Sequence, residues 1–233
     1  MKKIIICQIV FSVVLMNCQE KKAEKTTSKA HKIDNTINNS QKEFDFKELK
    51  FGSNINDLLK GIGLSSNDNA LDEYNISGDY EEFQFPKDKN INLSIFNNAL
   101  QSGTDNISVF YLKTNKKIWG YEMELINNSN AETIISSIEK RVGYKPDFAE
   151  KKVNTKERPI FLDENGEFKK DHMEENIQVW EDKGNKTVYF TIYTANFSKN
   201  PNENRLKIFV LDKASVKYKE WISYRSLDML YNK

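Results

Sequence analysis

The sequence predicts an α+β fold, built from two helix-plus-antiparallel-sheet repeats in tandem or as one continuous sheet. Two patterns carry that prediction. An amphipathic helical stretch is followed by alternating strands, and further along the chain the same succession starts again. Composition supports a packed core: 14 Phe, 10 Tyr and 3 Trp stand among 38% hydrophobic and 30% charged residues.

The chain opens with Lys2 and Lys3 and an apolar run, Ile4 to Met16, broken only by Cys7, Gln8 and Ser12. A helix of about 13 residues covers roughly 20 Å, short of the ~30 Å hydrocarbon core. Charged Glu20, Lys21 and Lys22 follow at once. A basic start and a short apolar run read as a signal peptide rather than a membrane span.

The residues closing that run, Leu15-Met16-Asn17-Cys18, resemble the lipobox of bacterial lipoproteins. The resemblance implies that residues 1–17 are removed as a signal peptide and that Cys18 is the lipid attachment site. Asn17 stands where that family usually has Gly, Ala or Ser. Gln19, rather than aspartate, after the cysteine implies sorting to the outer membrane. The alternative is an ordinary secretory signal or an uncleaved anchor, with Cys18 incidental. Two or three acyl chains hold a protein stably where one does not.

The only cysteines, Cys7 and Cys18, both lie in this segment. With Cys18 acylated, no free thiol is left for disulfides, thiol catalysis or cysteine metal sites. Loss of Lys2 and Lys3 lowers Lys+Arg from 35 to 33 against 34 acids, so the formal charge passes from +1 to −1. That balance argues against nucleic acid as a partner.

Residues 18–43 are rich in Lys, Asn, Ser and Thr and read as a disordered tether. The first repeat is expected over residues 44–128. Its helix runs from an N-cap at Ser53 or Asn54, with Ile55, Leu58, Leu59 and Ile62 on one face, to a stop at Gly61 or Gly63. Strands are expected at 81–86 and 91–96 as one pair, and at 107–113 and 117–126 as a second. In the last of these Trp119, Tyr121, Met123 and Leu125 alternate with Gly120, Glu122 and Glu124.

The second repeat, 129–233, opens on a capping box at Ser129 and Glu132 and a helix carrying Ala131, Ile134, Ile135, Ile138 and Val142 up to Gly143. An insert is expected over 145–175, holding a small hairpin with Asn165-Gly166 as a type I′ turn. Strands follow near 176–182, 186–197 and 205–211. The C-terminal stretch 213–233, with Tyr218, Trp221, Ile222, Tyr224, Leu227 and Leu230, is dense enough in aromatics to dock on the sheet as a strand or a short helix.

The stretch from Phe51-Gly52-Ser53 through Asp57-Leu58 to Gly63 is similar to the opening of small α+β envelope lipoprotein domains. Examples are the small accessory lipoprotein of the outer-membrane barrel assembly machine and the β-lactamase inhibitor protein repeat. The likeness implies a fold alone.

Chemistry-bearing residues are sparse. His31 lies in the tether. His172, within Lys170-Asp171-His172-Met173-Glu174-Glu175, reads as an exposed loop histidine rather than a ligand or base. A catalytic zinc needs three protein ligands. Asp163-Glu164-Asn165-Gly166 lacks the EF-hand spacing. No nucleophile elbow or phosphate-binding glycine loop is present, and neither a cofactor nor a metal is expected.

Gly184-Asn185 is a favoured hairpin turn, which sets Val179 opposite Phe190 and Ile177 opposite Ile192 as an apolar side. The other side then carries Trp180 with Tyr189, Gln178 with Thr191 and Asn176 with Tyr193. Trp180, Tyr189, Thr191 and Tyr193 are therefore the candidate protein-binding face, unless a helix or the insert covers them as an ordinary cross-strand cluster.

The expected function is a membrane-tethered envelope lipoprotein whose non-catalytic domain binds a protein partner, as scaffold, assembly factor or inhibitor. The alternative is a carboxylate-dependent envelope hydrolase. Its mark would be a cleft where two carboxylates, or His172, converge with raised pKa values.

Overall fold

The computed structural model describes residues 43–227 apart from 72–77, 90, 102, 163–164, 167 and 198–202; within 156–162 and 168–171 it describes the backbone alone. The first helix, α1, spans Ile55–Ile62. The Asn54 side chain caps it by accepting from the Asn56 N–H at 2.9 Å. Gly63, at φ 79°, closes it in the left-handed conformation that glycine adopts without strain. Ile55, Leu59 and Ile62 face the core.

Strand β1, Glu43–Asp45, pairs in parallel with β3, Asn92–Ile95, and β3 pairs with the short β4, Asn98–Ala99. This small sheet departs from the expected pairing of 81–86 with 91–96. The strand β2, Tyr80–Gln84, belongs to a different sheet. Pro86 and the charged Lys87-Asp88-Lys89 form no tight turn, so β3 is free to bury Leu93 and Ile95 beside Phe46. The Asp45 carboxylate holds the corner, accepting from Lys47 N at 2.9 Å, Phe96 N at 3.0 Å and Asn97 N at 2.6 Å. Burial pushes the Asp45 carboxyl up, but those N–H groups and the Lys47 charge outweigh it and hold its pKa below the ordinary value.

The main sheet has seven strands in the order β2-β5-β6-β10-β9-β8-β7. Its further members are β5 (Asn106–Leu112), β6 (Ile118–Ile126), β7 (Phe148–Leu162), β8 (Phe168–Asp182), β9 (Thr187–Asn196) and β10 (Glu203–Asp212). All neighbours are antiparallel. Strands following α1 fill one side. Those following the second helix, α2 (Ala131–Val142), fill the other, and the two groups meet where β6 pairs with β10. The fold is thus α+β and mostly sheet.

The expected insert is instead two long strands of this sheet. Its sequence hides that role because β7 is an edge strand. Lys151, Lys152 and Pro159 are residues that block further pairing at an edge, and they leave no apolar alternation to read. Leu162 pairs with Phe168, so β7 and β8 do join around Asn165-Gly166. The expected type I′ turn involves Asp163, Glu164 and Glu167, which lie outside the described residues. His172 accordingly sits on β8 opposite Thr155, not in a loop.

Helix α2 starts without the expected capping box. Asn128 is 2% exposed and tied to Asp105 Oδ2 at 3.0 Å, and its own Oδ1 accepts the Asn130 N–H at 2.8 Å. That buried asparagine takes over the capping role from Ser129. Gly143, at φ 87°, ends the helix.

The sheet is covered on both faces. On one side α1, α2, Phe46 and the small sheet enclose a core with Val109, Tyr121, Met123, Trp180 and Ile208. On the other, a C-terminal helix α3, Tyr218–Tyr224, seats Trp221 and Ile222 among Phe110, Trp119, Val179, Phe190 and Leu211. The described part of the C-terminal stretch, to Leu227, thus docks on the sheet as a helix, and Leu230 lies outside the described residues. Trp119 stacks on Phe110 at 5.4 Å between ring centres, and Trp221 meets Phe209 edge-on at 5.2 Å. Such pairs add stabilisation beyond area burial.

Two glycines test this packing in opposite directions. A Cβ on Gly120 would lie 2.8 Å from Leu211 Cδ2 and 3.3 Å from the Val210 carbonyl oxygen. Gly120→Ala should therefore cost about 1–3 kcal/mol in denaturant unfolding. Gly61, inside α1 with nothing within 4 Å of its would-be Cβ, should gain about 0.5–1 kcal/mol as Gly61→Ala. Equal midpoints for the two variants would reject the close approach of β6 to β10.

Candidate functional site

The β8–β9 register is the one the Gly184-Asn185 turn dictates: Val179 opposes Phe190, Trp180 opposes Tyr189 and Asn176 opposes Tyr193. The connection is Lys183–Lys186, secured by the Asp182 Oδ1 that accepts from Asn185 N at 3.1 Å. The candidate binding face is another matter. Trp180 and Thr191 are 0% exposed and Tyr189 is 5% exposed, so these three are core residues. Helix α2 packs on β8 and β9, and the Tyr189 hydroxyl meets Arg141 from that helix. Aromatic–polar composition suits a face pressed under a helix as well as one offered to a partner, and of these two sequence readings the covered one, under the second helix, is what the structure shows for Trp180, Tyr189 and Thr191. Only Tyr193 of the four keeps partial exposure. With Asn176 and Gln178 it lines an open groove of about 470 Å³ beside α2.

The opposite face offers a more structured site. Among the described residues, helix α3 covers only one end of the sheet there, and strand register sets polar residues in rows across the other end. Gln84, Ser108, Glu122 and Phe209 form one row. Asn106, Glu124, Lys207 and Ile192 form the next. Together with Glu82, Arg225 and Leu227 they line a groove of about 470 Å³. A second cavity of about 430 Å³, reaching Thr194 and Glu175, shares Lys207 and Ile192 with it.

Charges in this groove are held by partners. Glu124 accepts from Asn106 Nδ2 at 3.1 Å and pairs with Arg205 at 3.2 Å and Lys207 at 3.4 Å. Burial pushes the Glu124 carboxyl up, yet Asn106 and the two cations outweigh it and bring its pKa below the ordinary value. Glu122, 28% exposed, pairs with Arg225 Nη2 at 3.3 Å. Burial dominates there, with Glu82 adding repulsion, and the Glu122 pKa is raised despite Arg225. Arg225 is itself positioned by the face of Trp221, 4.1 Å from its guanidinium carbon.

His172 takes no part. It shares the face of Trp180, across the sheet from Glu122, with Nε2 3.6 Å from Glu174 Oε1 and its ring 5.4 Å from Phe197. Among the described residues no three His, Cys, Asp or Glu side chains group as metal ligands. Glu122 and Glu124 were visible in the sequence as the polar side of an otherwise apolar strand. Arg225 carried no sequence signal, since only docking of α3 brings it to Glu122. Cys18, at the N-terminus, lies outside the described residues. No family model matches this chain, nor does any curated protein or solved structure.

Opposite pKa shifts on adjacent inward positions of one strand give opposite pH responses. The fold disfavours ionised Glu122, so its contribution is most favourable below the ordinary value of 4.5 and declines as pH rises through the raised folded pKa. Glu124 contributes above 4.5 and loses that contribution as pH falls through its lowered folded pKa. Relative to the parent, Glu122→Gln should gain stability from acid to neutral pH and Glu124→Gln should lose it. Thermal melts across that range check the signs, and parallel trends would contradict the assignment.

Proposed function

We propose that the chain is a bacterial envelope lipoprotein, acylated at Cys18 and sorted to the outer membrane, whose domain binds a polar ligand without transforming it. Support for the anchor is the signal-like run ending in Leu15-Met16-Asn17-Cys18. Among the described residues no helix is long and apolar enough to cross a membrane, a fact neutral toward a lipid anchor.

The observation that carries the binding reading is the neutralisation of the groove's central carboxylates. Glu124 is clasped by Asn106, Arg205 and Lys207, and Glu122 by Arg225. Groups so engaged recognise polar partners but offer no unopposed base or nucleophile. The centres of protein–protein interfaces are depleted in charge. A protein partner on the Trp180 face has lost its site to α2, and the charged, concave α3-side groove suits a polar ligand better.

One observation favours the alternative, a carboxylate-dependent hydrolase. Glu122 and Glu124 lie two residues apart on one strand face, about 7 Å by strand geometry, and their environments push their pKa values apart. Incubation with envelope polysaccharide and peptide fragments, followed by mass analysis, separates the two. The binding reading expects fragments recovered intact; products lost in Glu122→Gln would establish the hydrolase.

For the anchor, Cys18→Ser should leave the membrane fraction while keeping its fold, and the parent's N-terminal peptide should carry acyl mass. A cleaved Cys18→Ser protein still bound to membrane would refute lipidation.

A further inference from the structure

Resting on the groove reading, we infer that the ligand of the α3-side groove is a neutral oligosaccharide. Charge is the first argument. Arg225 faces Glu122 at 3.3 Å, Arg205 and Lys207 share Glu124 at 3.2 Å and 3.4 Å, and Glu82 lines the same groove, so three cations stand against three carboxylates and the charges balance. A free anion or cation entering the groove has to compete with an ion pair that is already formed, whereas a neutral ligand leaves both pairs in place.

Hydrogen-bonding capacity is the second. Donors and acceptors interleave: the Asn106 amide donates to Glu124 at 3.1 Å, with Lys207 on the other side of the same carboxylate. Positions repeat about 4.8 Å across strands and about 7 Å along them. A hydroxyl both donates and accepts, so it fits between a carboxylate and an ammonium or guanidinium group without altering either charge. Few neutral ligands other than sugars carry hydroxyls at such density, and bonds to charged groups are the strong ones.

Shape is the third. At the ends of the polar rows, the partly exposed Ile192 gives apolar ground for the C–H face of a pyranose ring, with the buried Phe209 and Leu227 packed beneath the groove floor. The groove runs on across β10, β9 and β8 into the second cavity, with Lys207 and Ile192 common to both. Two adjoining cavities along one trough suit linked rings rather than a single sugar.

The test uses the full lipidated chain in a detergent without a sugar headgroup. It is presented with malto-, cello-, xylo- and N-acetylated chito-oligosaccharides, with oligogalacturonate as anionic probe and oligolysine as cationic probe. Calorimetry on the parent should show saturable binding of at least one neutral series, with longer chains binding tighter. Lys207→Ala and Glu124→Gln should each weaken it by about tenfold or more, as expected for loss of one charge-assisted bond. Tyr193→Ala, on the other face, should bind as the parent does. Binding of only the anionic or cationic probe, abolished by the groove variants, overturns the neutral oligosaccharide and keeps the groove. Sugar binding indifferent to the groove variants overturns both. No binding of any neutral series overturns the inference.

Discussion

Burial of both sides of the β8–β9 pair is the constraint on which the rest of the molecule depends. Trp180 and Tyr189 project one way, Val179 and Phe190 the other, and all four are nearly inaccessible. An antiparallel sheet that faces water needs cover on one side only. Here cover is required on two. Helices α1 and α2, with the small sheet around Phe46, supply one layer. The single short helix α3 supplies the other, concentrating Trp221 on Phe110, Trp119 and Phe209.

Among the described residues the second layer is the short α3, and it stops partway along the sheet. The strands continue past it, and their side chains change from Phe110, Phe190 and Leu211 to Asn106, Glu124 and Lys207 on the same face. The groove is therefore the place where the described apolar cover ends and the polar residues of the same strands stay partly exposed. Arg225, just past the end of α3, closes the boundary by joining Glu122 to the helix that carries Trp221. Core packing and site geometry thus share an element, and displacement of α3 would disturb both.

Much of the fold was legible because local rules governed it. The limits of α1 followed from Asn54 and Gly63, the hairpin register from Gly184-Asn185, and docking of the C-terminus from its aromatics. What was not legible depended on distant partners. Strand β3 pairs with β1, from the edge of a segment that reads as tether, and no local pattern announces a parallel contact of that kind. The long β7 and β8 read as an insert because an edge strand carries charges where an inner strand carries apolar residues. For the Trp180 face the sequence leaves two readings, covered or offered to a partner, since alternation separates two faces without saying which one meets water; helix α2 covers it. For the site, Glu122 and Glu124 were in view as a polar stripe, while their opposite electrostatic environments arise from Arg225, Arg205 and Lys207, residues roughly 80–100 positions away in sequence.

Tryptophan emission gives the most direct test of the two-sided burial. The chain has 3 tryptophans, and all lie within the two cores, Trp180 under α2, Trp119 beneath α3 and Trp221 on the buried side of α3 itself, at 0%, 2% and 2% exposure. Native protein should show a single blue-shifted emission band that acrylamide barely quenches and that moves red only on unfolding. A red-shifted, readily quenched component in the native state would mean that at least one face of the sheet is open to solvent, contradicting the account.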